Sequence, residues 1–391
     1  MGKLMALTRV DIDLKAIAHN FQEIQRLAGE NSFHLPTRKD LHDPLKNKVQ
    51  VLAVVKADAY GHGMQQVAKL LLKLGATQFA VSDVKEGVAL REMGIKKPIL
   101  LLESPLPGFV NDIIRYDLTS TVCTWELVAA LEKRARAIRK MVSIHINVDT
   151  GMGRLGVRHE DAFEFIKKIS VDFPNLSIEG IYTHFPSADV DRKFTNKQIK
   201  ALYDLVINLD KSGLVIPYVH AANSMGLADY RTKVLNLVRP GLMIYGLYPH
   251  PKLERQVTLK PAMIVKSKII FIKNIIKGQG VSYGRSFVAK RRMTIATIPI
   301  GYNDGYLRAL SNRSFVLIDG RRCSVLGRVT MDQIVVDVSA VKNVKLGDEV
   351  VVLGRQKGLQ VSADHLAHCA GTINYEIVCG LGNRLPREYL N

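Results

Sequence analysis

Apolar and polar positions follow two different rhythms along this chain. Between residues 51 and 258, short apolar runs alternate with segments in which apolar residues return at helical spacing. The runs read as strands at 51–55, 78–81, 98–101, 118–122, 143–148, 177–182, 217–220 and 234–238, with helical segments that include 64–74, 125–138, 162–170 and 195–209. Eight strands alternating with helices predict an α/β chain beginning with a (β/α)8 TIM-like barrel, an open doubly wound sheet being the alternative. Ahead of the barrel strands, a strand at 8–12 leads through Asp13, a good helix N-cap, into a helix with Leu14, Ile17, Phe21, Ile24 and Leu27 on one face. Residues 31–48 are polar, contain Pro36 and Pro44, and read as a surface insertion with no function attached.

After residue 258 the runs shorten and turn signals crowd in. Stretches 263–273, 294–299, 315–318, 323–329, 334–338 and 349–353 are of β type, and Asp319-Gly320 predicts a hairpin turn. One clear helix, 362–370, has Ser362 as its N-cap and Gly371 just past its end. The expected organisation is a barrel domain over 1–258 and a mostly β domain over 259–391, with no internal repeat and no low-complexity linker.

Composition narrows the class. The chain has 391 residues, 47% hydrophobic and 23% charged, ordinary values for a soluble globular protein. No apolar run reaches membrane-spanning length, the leader 1–8 lacks a signal-peptide core, and Ala6 stands where a myristoylation signal needs Ser or Thr. A soluble cytoplasmic protein is expected. Cys123, Cys323, Cys369 and Cys379 are scattered, which speaks for reduced, mostly buried thiols and against a disulfide framework or structural zinc. The formal charge of +19 comes from basic residues spread along the chain, with short clusters at Lys133, Arg134, Arg136, Arg139 and Lys140 and at Lys290-Arg291-Arg292. That predicts a solvated basic surface ahead of a nucleic-acid function.

The chemistry centres on Lys56. The apolar run 51–55 ends directly on this lysine, and Tyr60, Gly61 and Gly63 behind it suit a loop whose backbone passes close to a ligand. A strand-end lysine is ordinarily a snorkelling or salt-bridged side chain. Partly desolvated, it loses its proton more readily and becomes a Schiff-base nucleophile towards an aldehyde. The later strand ends add candidates: Asn147 to Arg154 after the fifth, His184 after the sixth, Ser224 after the seventh, and Arg239 with Gly241 after the eighth. Each has an ordinary explanation alone, the arginines as surface ion pairs, His184 as a hydrogen-bonded core histidine, Ser224 as a helix N-cap. At one end of one barrel with Lys56 they converge on one site, where the Gly241 backbone and a serine opening a helix suit a phosphate.

The stretch Ala-Val-Val-Lys-Ala-Asp-Ala-Tyr-Gly-His-Gly at 53–63 resembles the pyridoxal-phosphate lysine motif of the alanine racemases, and the resemblance extends over nearly the whole chain, weakest at 31–48. It implies that Lys56 holds pyridoxal 5'-phosphate and serves as one catalytic base. Arg239 is then expected to face the pyridine nitrogen. A guanidinium does not give up its proton and disfavours one on the ring, which limits side reactions such as transamination. His184 is expected to bond Arg239 on one side and the second base on the other. Tyr60, Ser224, Gly241, Leu242 and Tyr375 match the family's phosphate-binding positions. Arg154 lies where the family's arginine approaches the cofactor's phenolic oxygen and the substrate carboxylate.

Racemisation needs a base on each face of Cα. Val281-Ser282-Tyr283-Gly284-Arg285 resembles the family's tyrosine motif and makes Tyr283 the second base, its ordinary alternative being a buried structural tyrosine. In the family this residue comes from the partner subunit, so the resemblance implies a homodimer with shared sites. Gly327 to Gln333 resembles the partner segment that binds the substrate carboxylate, with Met331 contributing backbone where simple core packing is the alternative. Tyr302 and Tyr375 resemble the walls of a narrow entrance suited to alanine. In one departure, Asn147 stands where many members carry a carbamylated lysine supporting the active-site arginine, so Arg154 is expected to rely on the asparagine amide, a bound anion or both. The function implied is interconversion of L- and D-alanine for peptidoglycan. Rivals are a serine, lysine or broad-specificity racemase of the same fold, a fold-related decarboxylase, against which Arg239 speaks, and a barrel-only cofactor carrier, which would lack Tyr283 and its domain.

Overall fold

The computed structural model describes residues 6–30, 49–230 and 235–391. It divides into two compact units, one of residues 18–59 and 64–259, the other of the chain up to Ile17, Tyr60–Gly63 and Lys260–Asn391.

In the first unit, eight parallel strands close on themselves. With β1 (Arg9–Asp13) as the chain's first strand, they are β2 (Gln50–Val54), β3 (Gln78–Val81), β4 (Ile99–Leu101), β5 (Thr119–Val122), β6 (Val142–Asp149), β8 (Leu176–Tyr182), β9 (Tyr218–His220) and β10 (Leu237–Val238). Each pairs in parallel with the next, and β10 returns to β2, where Leu237 faces Gln50 and Val238 faces Val51. The expected barrel is therefore present, and the doubly wound alternative is excluded by the closure. Residue 234, the expected start of the eighth strand, and the insertion 31–48 lie outside the described residues. A two-residue strand not anticipated from the sequence, β7 (Val157–Arg158), pairs with the end of β6. The strands are buried almost throughout, as the near-continuous apolar runs require of a sheet covered on both faces. Helices Met64–Lys73, Trp125–Ala137, Ala162–Asp172 and Arg192–Lys211 fall where the periodicity puts them.

The second unit is mostly β. Its main sheet includes Met263–Lys268, Phe315–Ile318, Arg321–Ser324, Glu349–Gln356 and Arg387–Leu390, and it takes in β1. Read along the chain, β1 leads into the barrel; its hydrogen bonds place it instead between Met263–Lys268, antiparallel, and Arg387–Leu390, parallel. The expected single run at 263–273 is two strands, Met263–Lys268 and Phe271–Ile275, which lie in different sheets. Asp319 and Gly320 both have positive φ, 50° and 70°, as the hairpin turn between two paired strands demands. Ser362 accepts from His365 N–H and Gly371 closes the helix in the left-handed conformation. A second short helix, Asn374–Cys379, was not foreseen. Of the four cysteines only Cys323 is buried, so the expectation of mostly buried thiols is corrected. No helix among the described residues is long and apolar enough to cross a membrane.

Candidate active site

Lys56 stands half-buried at the carboxyl end of β2, two residues past Val54, the last paired position. Behind it, Ala57, Asp58, Ala59 and Tyr60 all lie in the left-handed region, with φ of 53°, 51°, 54° and 54°. Each such non-glycine residue costs roughly 1–2 kcal/mol, so the run must be held. Glu86 holds it from the helix Val84–Glu92, its carboxylate accepting Ala57 N–H at 2.6 Å and Ser82 N–H at 2.8 Å. Asp58 accepts Met64 N–H at 2.7 Å, and the Tyr245 hydroxyl donates to Val54 O at 2.9 Å. Hydrogen bonds to a charged acceptor contribute about 1.5–3 kcal/mol each, enough to offset the strain. Burial raises the Glu86 pKa, against the opposing pull of the two backbone N–H groups and Lys56.

Arg239, at the end of β10, is buried and tied on two sides. Its Nη1 donates to His220 Nδ1 at 2.7 Å; its Nη2 donates to Thr183 O at 2.9 Å, Ala221 O at 3.2 Å and His184 Nδ1 at 3.2 Å. The guanidinium lies over the Tyr182 ring, 5.0 Å from its centroid, and that ring stacks on His220. Arginine only donates, so Nδ1 of both histidines must carry a lone pair. Each ring then keeps its proton on Nε2, which makes His184 a donor on the side away from Arg239. Burial first, then the charges of Arg239, Arg154 and Lys56, drive the His184 pKa down to about 3, so the ring is neutral at physiological pH. Burial likewise lowers Arg239 to about 10, still charged, and lifts Tyr182 to about 12.

Three cations, Lys56, Arg154 and Arg239, therefore act on one neutral imidazole at the carboxyl mouth of the barrel. Beside them, Ser224 Oγ accepts Gly241 N–H at 3.1 Å and Met243 N–H at 3.4 Å, which draws the turn that starts at Leu242 against the start of the short helix after β9. The cap of the short helix Ser224–Asp229 is Asn223, whose side chain accepts Gly226 N–H, so Ser224 is not an N-cap.

The second unit gathers its own candidates. Tyr283 is 71% exposed, which removes the buried structural alternative, and its backbone is set by Val281 in a buried cluster with Met293, Ile295 and Leu326. Ser282 Oγ donates to Arg328 O at 2.6 Å, joining the tyrosine segment to the segment of Met331. Tyr302 N–H and Asn303 N–H donate to Thr330 O and Met331 O, both at 3.0 Å. Met331 is 53% exposed and is no core residue. Tyr60 and Tyr375 approach with ring centroids 6.2 Å apart, and burial raises the Tyr60 pKa. Gly63 has a φ of 90°, where a side chain is strained, and a Cβ there would also force the Tyr389 hydroxyl to move.

The family description "Alanine racemase, N-terminal domain" fits residues 37–249, and "Alanine racemase, C-terminal domain" fits 262–389. The chain belongs to the alanine racemase family. It is 42% identical over 385 residues to the alanine racemase of Halothermothrix orenii, covering 98% of this chain and 97% of that one, and 41% identical over 388 residues to that of a Geobacter species, covering 97% and 98%. Among solved structures, the alanine racemase of Clostridium difficile superposes with a TM-score of 0.90 at 34% identity, over 99% of this chain and 97% of that chain. The Bacillus anthracis enzyme with bound L-Ala-P gives 0.88 at 35% identity, over 100% and 96%.

Seen as an alanine racemase, the chain brings Lys56, Arg154, His184, Ser224, Arg239, Gly241 and Leu242 to one barrel mouth, and Tyr283, Tyr302 and Met331 to one stretch of the other unit. The ordinary reading of Arg239 as a surface ion pair fails because it is buried with neutral partners. Arg154 is exposed and, among the described residues, makes no hydrogen bond or ion pair, so Asn147 does not hold it. The sequence reading missed Glu86, His145, His220 and Tyr182. His220 and Tyr182 lie inside strand ends already singled out, whereas a lone glutamate on a helix and a histidine in mid-strand carry no signal of their own.

Proposed function

We propose that this chain is a pyridoxal 5'-phosphate-dependent racemase that interconverts L- and D-alanine with two bases, Lys56 and the partner subunit's Tyr283, and supplies D-alanine for peptidoglycan. The observation that carries this reading is the convergence of Lys56, Arg154 and Arg239 on a neutral His184 at the barrel mouth. These residues fit the cofactor: a primary amine at a strand end, cations opposite an anionic phosphate and phenolic oxygen, and the Ser224 hydroxyl beside the Gly241 and Leu242 backbone. Bound there, pyridoxal phosphate supplies the electron sink that acidifies the substrate's α-proton.

The chain's own residues do the rest. Lys56 takes or returns the proton on one face of Cα, and the partner subunit's Tyr283 does so on the other. Arg239 keeps its protons and disfavours one on the ring nitrogen. His184 offers Nε2–H to the second base, and a hydrogen bond donated to the phenolic oxygen favours its charged, proton-accepting form. Arg154 and the Met331 backbone take the substrate carboxylate, and Tyr302 narrows the approach.

The test is circular dichroism of L-alanine, L-serine and L-lysine, each incubated with protein and cofactor. Loss of optical activity should be fastest with L-alanine; a faster loss with another amino acid would change the substrate, and none with any would end the racemase reading. Lys56→Ala should abolish the absorbance of lysine-bound cofactor.

A further inference from the structure

His145 takes no part in the chemistry described so far, yet the fold makes room for it. It is the fourth residue of β6, fully buried, and its Nδ1 lies 2.9 Å from His220 Nε2. On the neighbouring strand β8 it is paired with Gly180, where a Cβ would come within 2.5 Å of the imidazole. The pairing of β6 with β8 slips at this point, between Ile144 and His145, so a bulge and a glycine together leave space for the ring against bare backbone.

The protons along the chain of rings follow from one donor. Arg239 Nη1 donates to His220 Nδ1, so the His220 proton resides on Nε2 and is given to His145 Nδ1. His145 must therefore accept there and carry its own proton on Nε2. A doubly protonated His220 would set N–H against N–H at Arg239. Were His220 to adopt the other tautomer, its Nδ1–H would likewise face Nη1, and the bond that orients the guanidinium would be lost. His145 also lines a cavity of about 240 Å³ at the amino-terminal end of the barrel, with Gln78, Thr119, Glu179 and Tyr218 among its walls. The row of rings thus spans the barrel interior, from that end to the strand ends that carry Lys56.

We propose that His145 is a positioning residue: by accepting the Nε2 proton of His220 it fixes the tautomer that presents a bare Nδ1 to Arg239, and so sets the orientation of the guanidinium. What the guanidinium then faces rests on the function proposed above.

The experiment is ¹⁵N NMR of histidine-labelled protein, first without cofactor. In the unaltered protein at neutral pH, His145, His184 and His220 should all be neutral with the proton on Nε2. His145→Asn, whose amide oxygen accepts in place of Nδ1, should keep the His220 tautomer and hold kcat within about threefold. His145→Leu should shift His220 towards Nδ1–H and lower kcat by about tenfold or more with little change in KM. A proton on His145 Nδ1 in the unaltered protein would overturn the proposal even if the leucine variant did not fold. So would an unchanged His220 tautomer in His145→Leu, or a changed tautomer with unaltered kcat. The ring-nitrogen shift of bound cofactor tests Arg239 separately: a protonated ring nitrogen in the unaltered protein would overturn that assignment and leave the His145 result standing.

Discussion

Glu86 accepts two backbone N–H groups with one carboxylate, and one of them belongs to the residue directly after Lys56. Glutamine offers a single acceptor oxygen, so Glu86→Gln must leave one of these donors poorly met, at a cost of about 1–3 kcal/mol. The expected result is a lower thermal midpoint and a lower kcat, with KM for alanine little changed; thermal unfolding and steady-state kinetics on the same preparation check both. Asn147 makes a different kind of statement. It is buried near the base of the Arg154 loop but gives Arg154 no hydrogen bond, so the arginine is held by the loop alone or by an anion from solution. Asn147→Lys should gain activity when bicarbonate is added, through carbamylation of the new lysine, whereas the unaltered protein should not respond to bicarbonate. Lys56 stands out as a candidate in the sequence because it sits inside a long, specific motif, and Arg239 and Tyr283 because shorter family-like segments carry them. Glu86 and His145 do not, because their roles arise from partners 29 and 75 residues away.

The element that most needs explaining is the left-handed run after β2. Alanine and aspartate do not announce positive φ, so this turn could not be read from the sequence, although Gly61 and Gly63 behind it marked the neighbourhood. Its strain gives a prediction with two opposed signs. Ala57 is exposed and has φ 53°, so Ala57→Gly should relieve the left-handed penalty and, after glycine's own entropy cost, stabilise the fold by about 0.5 kcal/mol. The same change loosens the backbone behind Lys56 and should lower kcat. A raised unfolding midpoint with reduced turnover is the expected pair of results. The barrel strands were legible for the opposite reason: each is a buried parallel strand, and burial on both faces writes itself as an unbroken apolar run. The mostly β unit was read less well, because the partners of a short strand depend on contacts far along the chain. β1 shows this, with neighbours more than 250 residues away.

For the molecule as a whole, the buried histidines set the response to acid. Burial, and then the charge of Arg239, holds His145 near pKa 3; His184 is also near 3, and His220 lies well below its ordinary value. In the unfolded chain these groups take up protons near pH 6.5. Between the two values the unfolded state binds more protons, so their contribution is complete above about pH 6.5 and is lost as pH falls towards 3. The slope is about 1.4 kcal/mol per pH unit for each histidine that stays neutral. Urea unfolding at pH 7 and pH 5 should show the difference, and His145→Asn should flatten it; equal stability at both values would contradict the assignment. The placement of β1 has a consequence in time as well. Its sheet joins Arg9–Asp13 to Arg387–Leu390, segments that lie far apart along the chain. During synthesis the unit that carries Tyr283 therefore cannot complete this sheet until residues 387–390 have been made. A chain stopped at Pro386 would contain every residue named in the chemistry and still leave β1 without its parallel neighbour.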